Sequence, residues 1–204
     1  MASIPGGRFE MRTRKTTVDV KPFCLDVHEA TVADYAECLR AGRCTQSHPN
    51  ACNGPTIDFE GKDSHPIVCI DFAQAEAYCE FRHKRLPLDE EWEWAARGGR
   101  KASEFPWGSA PPDHQLCWTG PSGERRGTCP VGSFDASSWG VHDLAGNVAE
   151  WTTTRNDDHI PERSARGGSW RDRSRNAVRA ARPGWFKPNY KSASLGVRCA
   201  QDPG

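Results

Sequence analysis

The 204-residue sequence has no apolar stretch longer than a few residues, which excludes a helix that spans a bilayer. Residues 1–7 lack the basic segment followed by an apolar segment that marks a signal peptide, so we expect a protein that stays inside the cell or one whose leader has been removed. An excess of one charge is also lacking, because 27 Lys and Arg balance 27 Asp and Glu. No overall field would attract nucleic acid or an anionic membrane, and a charged partner would have to be recognised by a local patch.

The nine cysteines include no Cys-x2-Cys pair, so the tight turns that present thiolates to a structural zinc are missing. Disulfides explain the cysteines better. Cys38 and Cys44 flank a predicted helix end, and Cys117 and Cys129 flank a polar loop that a bridge could close. The sequence does not fix the pairings, and an odd number leaves at least one thiol free. The count favours an oxidising compartment, and therefore an extracytoplasmic or secreted protein.

Regular elements are predicted mainly in the first half of the chain. The predicted elements are a turn leading into a strand over residues 4–11, a strand over 18–27, a helix that starts after Thr31, an irregular loop over 45–64, a helix over 71–82 capped by Asp71, and a helix over 89–97 that starts at Asp89 and is ended by Gly98 and Gly99. Asp34 stands three residues after Thr31, which indicates a variant of the capping box.

Beyond Arg100 the helical periodicity disappears, and Gly, Pro, Ser and Trp become frequent. A hundred residues with so few regular elements need other anchors. Large aromatic side chains can hold loops in a core, and the tryptophans of this half are Trp107, Trp118, Trp139, Trp151, Trp170 and Trp185.

Five segments stand in an order that resembles the formylglycine-generating-enzyme (sulfatase-modifying-factor) family. They are residues 4–11, 84–99, 105–108, 140–151 and 166–170, with 179–182 and 195–199 following the last. The resemblance covers essentially the whole chain. It implies one domain over residues 1–204 with an α+β fold, a distorted C-type-lectin-like core and little regular secondary structure. Most of the motif residues are expected to be scaffold.

The resemblance also shows which chemistry is missing. Catalytic members hold copper between two cysteines that follow the Gly-Gly-Ser segment, and thiolates suit the soft Cu(I) ion. Here Asp172 stands at the first of these positions, and no cysteine occurs among residues 174–177, where the second would fall. Copper is therefore not expected. A related branch binds iron through histidines of an additional helical domain, but the seven histidines here are scattered and none are paired at helical i, i+4 spacing.

One motif of the family retains ligands for a hard cation. By position, the resemblance implies a structural Ca2+ site formed by the carboxylates of Asp143 and Glu150 and the carbonyl oxygens of Gly146 and Val148. An oxygen-only set of this kind suits Ca2+. The alternative is that the two carboxylates cap backbone amides around Gly146. A second calcium site of some relatives is expected to be lost, because its side-chain position falls on Leu116 or Cys117.

The remaining functional surface is the groove that corresponds to the family's active site. Exposed Arg, Trp, Phe and Tyr are typical of protein or peptide recognition, although solvated loop arginines would explain the same composition. The predicted groove residues are Ser169, Trp170, Asp172, Arg173, Arg175, Asn176, Arg179, Trp185 and Tyr190, the last two within a bordering loop over 182–190.

The leading interpretation is therefore a non-catalytic domain that binds a protein or peptide ligand. One alternative is a lectin-fold receptor similar to the variable proteins of diversity-generating retroelements, whose changeable residues would correspond to 171–194. A second alternative is an oxidoreductase-like enzyme of unknown reaction. Sequence variation at residues 171–194 would favour the variable receptor, and copper or iron bound stoichiometrically would favour the enzyme.

Overall fold

The computed structural model describes residues 1–12, 14–47, 52–54, 58–153 and 162–203. The strands are β1 Ala2–Ile4, β2 Gly7–Met11, β3 Thr16–Val20, β4 Phe23–Leu25, β5 Ala149–Thr152, β6 Arg163–Arg166, β7 Gly184–Phe186, β8 Leu195–Gly196 and β9 Ala200–Gln201. The helices are α1 Val32–Arg40, α2 Phe72–Phe81, α3 Asp89–Ala96 and a 3₁₀-helix, Gly99–Lys101. This mixture of short elements and long irregular connections confirms the predicted α+β fold. The predicted 45–64 loop falls partly on residues 48–51 and 55–57, which lie outside the described residues.

The strands form three small sheets. β1, β4 and β9 form an antiparallel sheet that joins the two ends of the chain, and β2 pairs with β3 as a hairpin. The third sheet has the order β7-β6-β5-β8, in which only β5 and β8 run parallel. The single strand predicted over residues 18–27 is wrong, because the chain leaves β3 at Lys21 and Pro22 before β4 begins. Proline cannot donate a ladder hydrogen bond, which explains the break.

Local side-chain hydrogen bonds explain where α1 and α2 begin. The Thr31 hydroxyl accepts from the N–H of Asp34 at 3.1 Å, and the Asp34 carboxylate accepts from the N–H of Thr31 at 3.1 Å. Asp71 and Gln74 make the same reciprocal pair at the start of α2. Both predicted caps are confirmed, and each satisfies two amides that a helix end leaves free.

The third helix starts at Asp89 as predicted, but its N-cap is Leu88 and the Asp89 side chain does not cap it. Asp89 is buried instead and binds Arg166 of β6. The helix ends at Ala96, one residue before the predicted end, and Gly98 and Gly99 follow with φ of +67° and +66°. Side chains rarely adopt these angles, so the two glycines explain the sharp turn.

The core divides into two main clusters, on either side of the β5–β6 pair. One cluster packs α1 and α2 against Trp151, and the other packs α3 against β2 and β4 around Trp92. Tryptophans anchor the loop-rich half as predicted, except that Trp185 is 41% exposed.

Four disulfides connect these elements, as the cysteine count predicts. Two are the bridges that the sequence suggested, and the full set is Cys38–Cys44, Cys52–Cys69, Cys79–Cys199 and Cys117–Cys129. Cys24 in β4 is the free thiol. Across the parts of the chain that the structure describes, no helix has the length and apolar character that a bilayer crossing requires.

Candidate ligand-binding cleft and carboxylate cluster

A cleft of about 300 Å³ opens beside the four-stranded sheet, where β6 runs into the Gly-Gly-Ser-Trp turn. Gly168 shapes this turn, because it has a φ of +67° and a Cβ there would stand 2.6 Å from the carbonyl oxygen of Ala177. No L side chain fits both constraints. The lining residues are Ala149, Ala165, Gly168, Ser169, Arg171, Asp172, Ala177, Arg182, Pro183, Gly184, Phe186, Tyr190, Ser192, Ser194 and Leu195.

Two of the predicted groove residues form a closed pair within the cleft. The Asp172 carboxylate accepts from the backbone N–H of Ser169 at 2.7 Å and from its hydroxyl at 3.1 Å. The same turn brings the N–H of Gly120 onto the Asp172 carbonyl oxygen at 3.0 Å. Asp172 therefore stabilises the loop that carries it.

An aromatic pair forms one wall of the cleft. The rings of Phe186 and Tyr190 are stacked at 5.0 Å, and Asn53 donates to the Tyr190 hydroxyl at 2.8 Å. Successive side chains of a strand point to opposite faces, so Phe186 of β7 lines the cleft whereas Trp185 does not.

The other predicted groove residues lie outside the cleft. Trp170 is buried against the Cys117–Cys129 bridge, and its indole N–H donates to the carbonyl oxygen of Ala193 at 2.9 Å. Arg179 forms an ion pair with Glu104 at 2.7 Å. Exposed side chains on the turn after the cleft belong to Arg173, Arg175 and Asn176.

Sequence reasoning missed Arg171 and the floor of the cleft. Arg171 is exposed and lines the cleft beside Asp172. The floor is made of small or apolar residues, among them Ala149, Ala165 and Leu195 of β5, β6 and β8. Pairing of these strands brings the three residues together, and only the period-2 pattern of each strand could have indicated which of them face the cleft.

The cleft does not offer the ligands that copper prefers. None of its lining residues is a cysteine or a histidine, and Cu(I) is held in proteins by soft sulfur ligands. Cys24, the free thiol, lies in β4, in the sheet that joins the chain ends. Among the described residues, no group of three His, Cys, Asp or Glu side chains is arranged to hold a metal ion.

The predicted calcium loop lies elsewhere, in a buried charged cluster. Arg198 donates to both carboxylate oxygens of Glu150 at 2.8 to 3.1 Å, and the Trp92 indole N–H donates to Glu150 at 2.6 Å. Asp143 accepts from the N–H of Gly132 at 2.7 Å. Each carboxylate of the predicted ligand pair therefore already binds protein donors.

A third carboxylate, which sequence reasoning missed, belongs to the same cluster. Glu29 is buried and accepts from the Asn147 side chain at 2.5 Å and from the N–H of Val148 at 3.1 Å. Burial, reinforced by the charges of Asp143 and Glu150, raises the pKa of Glu29 well above its usual value. For Arg198, burial alone would lower the pKa, but the attraction of Glu150 outweighs it and the pKa is raised.

The loop carries oxygen atoms of the kind that a hard cation binds, together with negatively charged groups. Three carboxylates face one guanidinium, so the cluster carries excess negative charge when all are ionised. No N–H of the described residues donates to the carbonyl oxygens of Gly146 and Val148, which are the main-chain ligands of the predicted set. Oxygen donors of this kind suit Ca2+, although Glu150 would have to share its oxygens with Arg198.

Comparison with known proteins agrees with this architecture. The sulfatase-modifying factor enzyme 1-like domain family matches residues 1–203. The chain belongs to this family. The inactive C-alpha-formylglycine-generating enzyme 2 of Bos taurus is 30% identical, with 100% of this chain and 88% of the relative covered. The formylglycine-generating enzyme of Thermomonospora curvata is 34% identical over 75% of this chain and 61% of its own.

A solved structure extends the comparison of folds. Treponema denticola variable protein 1 superposes with a TM-score of 0.75 at 19% identity, over 100% of this chain and 95% of that one. At this identity the likeness concerns the fold alone. The predicted formylglycine-generating-enzyme-like scaffold with a C-type-lectin-like core is confirmed.

Proposed function

We propose that this sulfatase-modifying-factor-like domain is a non-catalytic binding domain that takes a protein or peptide segment into the cleft. The observation that carries the proposal is the lining itself. A stacked aromatic pair, Phe186 and Tyr190, stands near two exposed arginines, Arg171 and Arg182, over a small apolar floor. Aromatic and arginine side chains dominate the binding energy of protein interfaces, and apolar clefts with a few polar groups are typical ligand sites.

Two features argue for binding over chemistry in this cleft. Asp172, at the position of the family's first copper-binding cysteine, is committed to hydrogen bonds with Ser169. Ser169 lies next to no histidine among the lining residues, so a serine nucleophile would lack a general base. The 30% identity to a relative that is itself described as inactive supports the same reading.

Selection from a random peptide library displayed on phage tests the proposal. We expect the wild-type domain to enrich a peptide family, and the double variant Phe186→Ala/Tyr190→Ala to lose binding to it. Trp185→Ala is the matched control, because Trp185 lies on the same strand but faces away from the cleft. No enrichment on the wild type, or equal binding by the double variant, would refute the proposal.

A second candidate is a receptor whose cleft residues vary between isolates. Most of the lining comes from the 171–194 interval, and the fold resembles that of a protein described as variable. Sequencing the same locus from independent isolates decides the matter, since substitutions concentrated at Arg171, Arg182 and Tyr190 would favour this candidate. Stoichiometric copper or iron in the purified protein would instead favour an enzyme.

For the carboxylate cluster we propose a structural Ca2+ ion, held by Asp143, Glu150 and the carbonyl oxygens of Gly146 and Val148. Support comes from the excess of carboxylates and from the two carbonyl oxygens without amide donors. We expect Ca2+, but not Mg2+, to raise the unfolding temperature of protein treated with a chelator, because Mg2+ demands a smaller octahedral site. Asp143→Asn should abolish the rise. An unfolding temperature that does not change with Ca2+ would contradict the proposal and would mean that Arg198 alone balances the charge of the cluster.

We also propose that the chain functions in an oxidising compartment, outside the cytoplasm. The four disulfides support this location. Mass mapping of the protein from its native source under non-reducing conditions should find all four bridges. Free thiols at most of these positions would contradict the proposal.

A further inference from the structure

A second concave surface lies outside the cleft, between β2 and the 3₁₀-helix Gly99–Lys101. This arginine groove has a volume of about 620 Å³. Its charged lining residues are Arg8, Glu10, Arg12, Arg97, Arg100 and Glu104. A chain with no net charge thus concentrates four guanidinium groups on one surface.

The charge of this groove is only partly neutralised. Arg97 binds Glu93 at 2.9 Å, and Glu93 shares Arg166 with Asp89, so two carboxylates neutralise these two guanidinium groups. The carboxylate of Glu104 is paired with Arg179. The carboxylates left to oppose the exposed Arg8, Arg12 and Arg100 are Glu10 and Asp19, which stands opposite Arg8 across β2 and β3, and the groove keeps an excess of positive charge.

Arg97 is buried beneath this surface and is held in place by its contacts. Its guanidinium lies over the Phe9 ring, 5.6 Å from the ring centroid, and donates to the carbonyl oxygen of Glu10 at 2.9 Å. Its buried Nε has no hydrogen-bond partner within the described residues, and the buried Nε of Arg179 has none either. Both nitrogens are enclosed by protein atoms, so the donors that an incoming carboxylate can contact belong to the exposed Arg8, Arg12 and Arg100.

The arginine groove and the cleft are connected. Arg12 lines the groove and also a shallow depression that Arg179, Arg182 and Pro183 share. Arg182 and Pro183 in turn line the cleft. The three surfaces therefore form one path, with arginines along it and the Phe186–Tyr190 pair at the cleft end.

We infer that this path binds an extended acidic peptide segment, whose carboxylates contact the arginine groove while neighbouring apolar or aromatic side chains occupy the cleft. The inference rests on the proposed binding function and specifies its ligand. Glu10 and Glu104 interrupt the row of arginines, which disfavours a uniformly anionic polymer such as a nucleic acid, whose affinity depends on many adjacent phosphate contacts. A peptide can place its acidic residues against the arginines and its uncharged residues against these two glutamates.

The phage-selected peptides supply the probe. We expect them to combine Asp or Glu with an apolar or aromatic residue. In anisotropy measurements at low ionic strength, Arg12→Gln/Arg100→Gln should weaken binding of the labelled peptide by about tenfold, and added salt should reduce the difference. Arg43→Gln, an exposed arginine that lines none of the three surfaces, should change nothing. Unchanged thermal unfolding of the variants shows that they remain folded.

The outcomes separate the inference from the proposed function. Selected peptides without acidic enrichment, or equal affinity for the wild type and Arg12→Gln/Arg100→Gln, would overturn the inference while the cleft remained a binding site. Competition by heparin or an oligonucleotide as effective as that by the unlabelled peptide would also overturn it, in favour of a polyanion. Failure to enrich any peptide on the wild type would contradict both the inference and the proposed binding function.

Discussion

The Asp172 carboxylate accepts hydrogen bonds from both the backbone N–H and the hydroxyl of Ser169, at 2.7 and 3.1 Å. Catalytic relatives are expected to carry a copper-binding cysteine where Asp172 stands. In this chain the position instead closes a four-residue turn at the mouth of the cleft. The side chain at this position therefore stabilises its own loop and offers no sulfur ligand to copper.

We expect Asp172→Ala to lower the free energy of unfolding by about 1–2 kcal/mol, because the N–H of Ser169 loses its acceptor. Asp172→Asn should lose less, since its amide oxygen can still accept one hydrogen bond. Urea unfolding measures both, with the exposed Asp135→Ala as a control that should leave stability unchanged. Equal stability of wild type and Asp172→Ala would mean that the turn does not depend on this carboxylate.

Arg166 of β6 is fully buried and holds two carboxylates of α3. It donates to Asp89 at 2.5 to 2.6 Å and to Glu93 at 3.0 Å. Burial opposes the ionisation of Asp89, but the hydrogen bonds and charge of Arg166 outweigh it and lower its pKa. Arg166→Met should therefore lower the free energy of unfolding by about 3–5 kcal/mol, because it leaves the buried Asp89 without an ionic partner and leaves Glu93 with Arg97 alone.

The matched control for this prediction is Arg82→Met, which breaks a surface ion pair with Glu37. Exposed ion pairs contribute about 0–1 kcal/mol, so this variant should be nearly as stable as the wild type. Calorimetry or denaturant titration compares the two. A similar decrease in the free energy of unfolding in both variants would mean that burial does not make the Arg166 ion pairs more important for stability than the surface pair.

How much of this molecule the sequence predicts depends on the range of the interactions. Thr31 and Asp71 signal their helices through contacts three residues away, so both caps could be identified directly. Asp89 has the same appearance in the sequence, but its partner is Arg166, 77 residues along the chain. Propensity rules contain no information on such a partner, and Asp89 forms a buried ion pair without capping its helix.

The same reasoning applies to the candidate site. The motif resemblance located Ser169, Asp172 and Tyr190, all of which line the cleft. It could not separate Trp185 from Phe186, because the side of β7 that faces the cleft is fixed by pairing with β6. Glu29 lies more than a hundred residues from Asp143 and Glu150, and only the folded chain brings the three carboxylates together.

The disulfides should differ in their effects on stability according to the length of chain that each closes. Cys79–Cys199 joins α2 to the C-terminal segment across a separation of 120 residues, whereas Cys38–Cys44 spans 6. In the chain-entropy model these loops correspond to about 5 and about 2 kcal/mol. We expect Cys79→Ala/Cys199→Ala to lower the free energy of unfolding by roughly 2–3 kcal/mol more than Cys38→Ala/Cys44→Ala. Denaturant unfolding under non-reducing conditions measures the difference, and a reversed order would contradict the entropic account.

Glu29 should make the protein less stable as the pH rises above the range in which a glutamate usually titrates. Its pKa in the folded protein is raised from the usual value of 4.5 by burial and by the charges of Asp143 and Glu150. Between 4.5 and the raised pKa, the unfolded chain has released the proton that the folded protein still holds. A rising pH therefore favours the unfolded chain over this window, and the contribution becomes constant above it.

Glu29→Gln removes this linkage, because the amide does not titrate. The N–H of Cys129 donates to the side-chain oxygen of Asn147 at 3.0 Å, which fixes the Asn147 NH2 group as the donor that faces residue 29. The N–H of Val148 is the second donor at this position. The side chain introduced by Glu29→Gln has one oxygen, so it cannot accept from both. Below pH 4.5 the variant should accordingly be less stable than the wild type by about 1 kcal/mol. As the pH approaches 7, this difference in the free energy of unfolding should narrow or reverse. The measurement is made with a chelator present, so that Ca2+ does not neutralise the cluster. The exposed Glu124→Gln serves as the control. A gap that stayed constant with pH would exclude Glu29 as the titrating group.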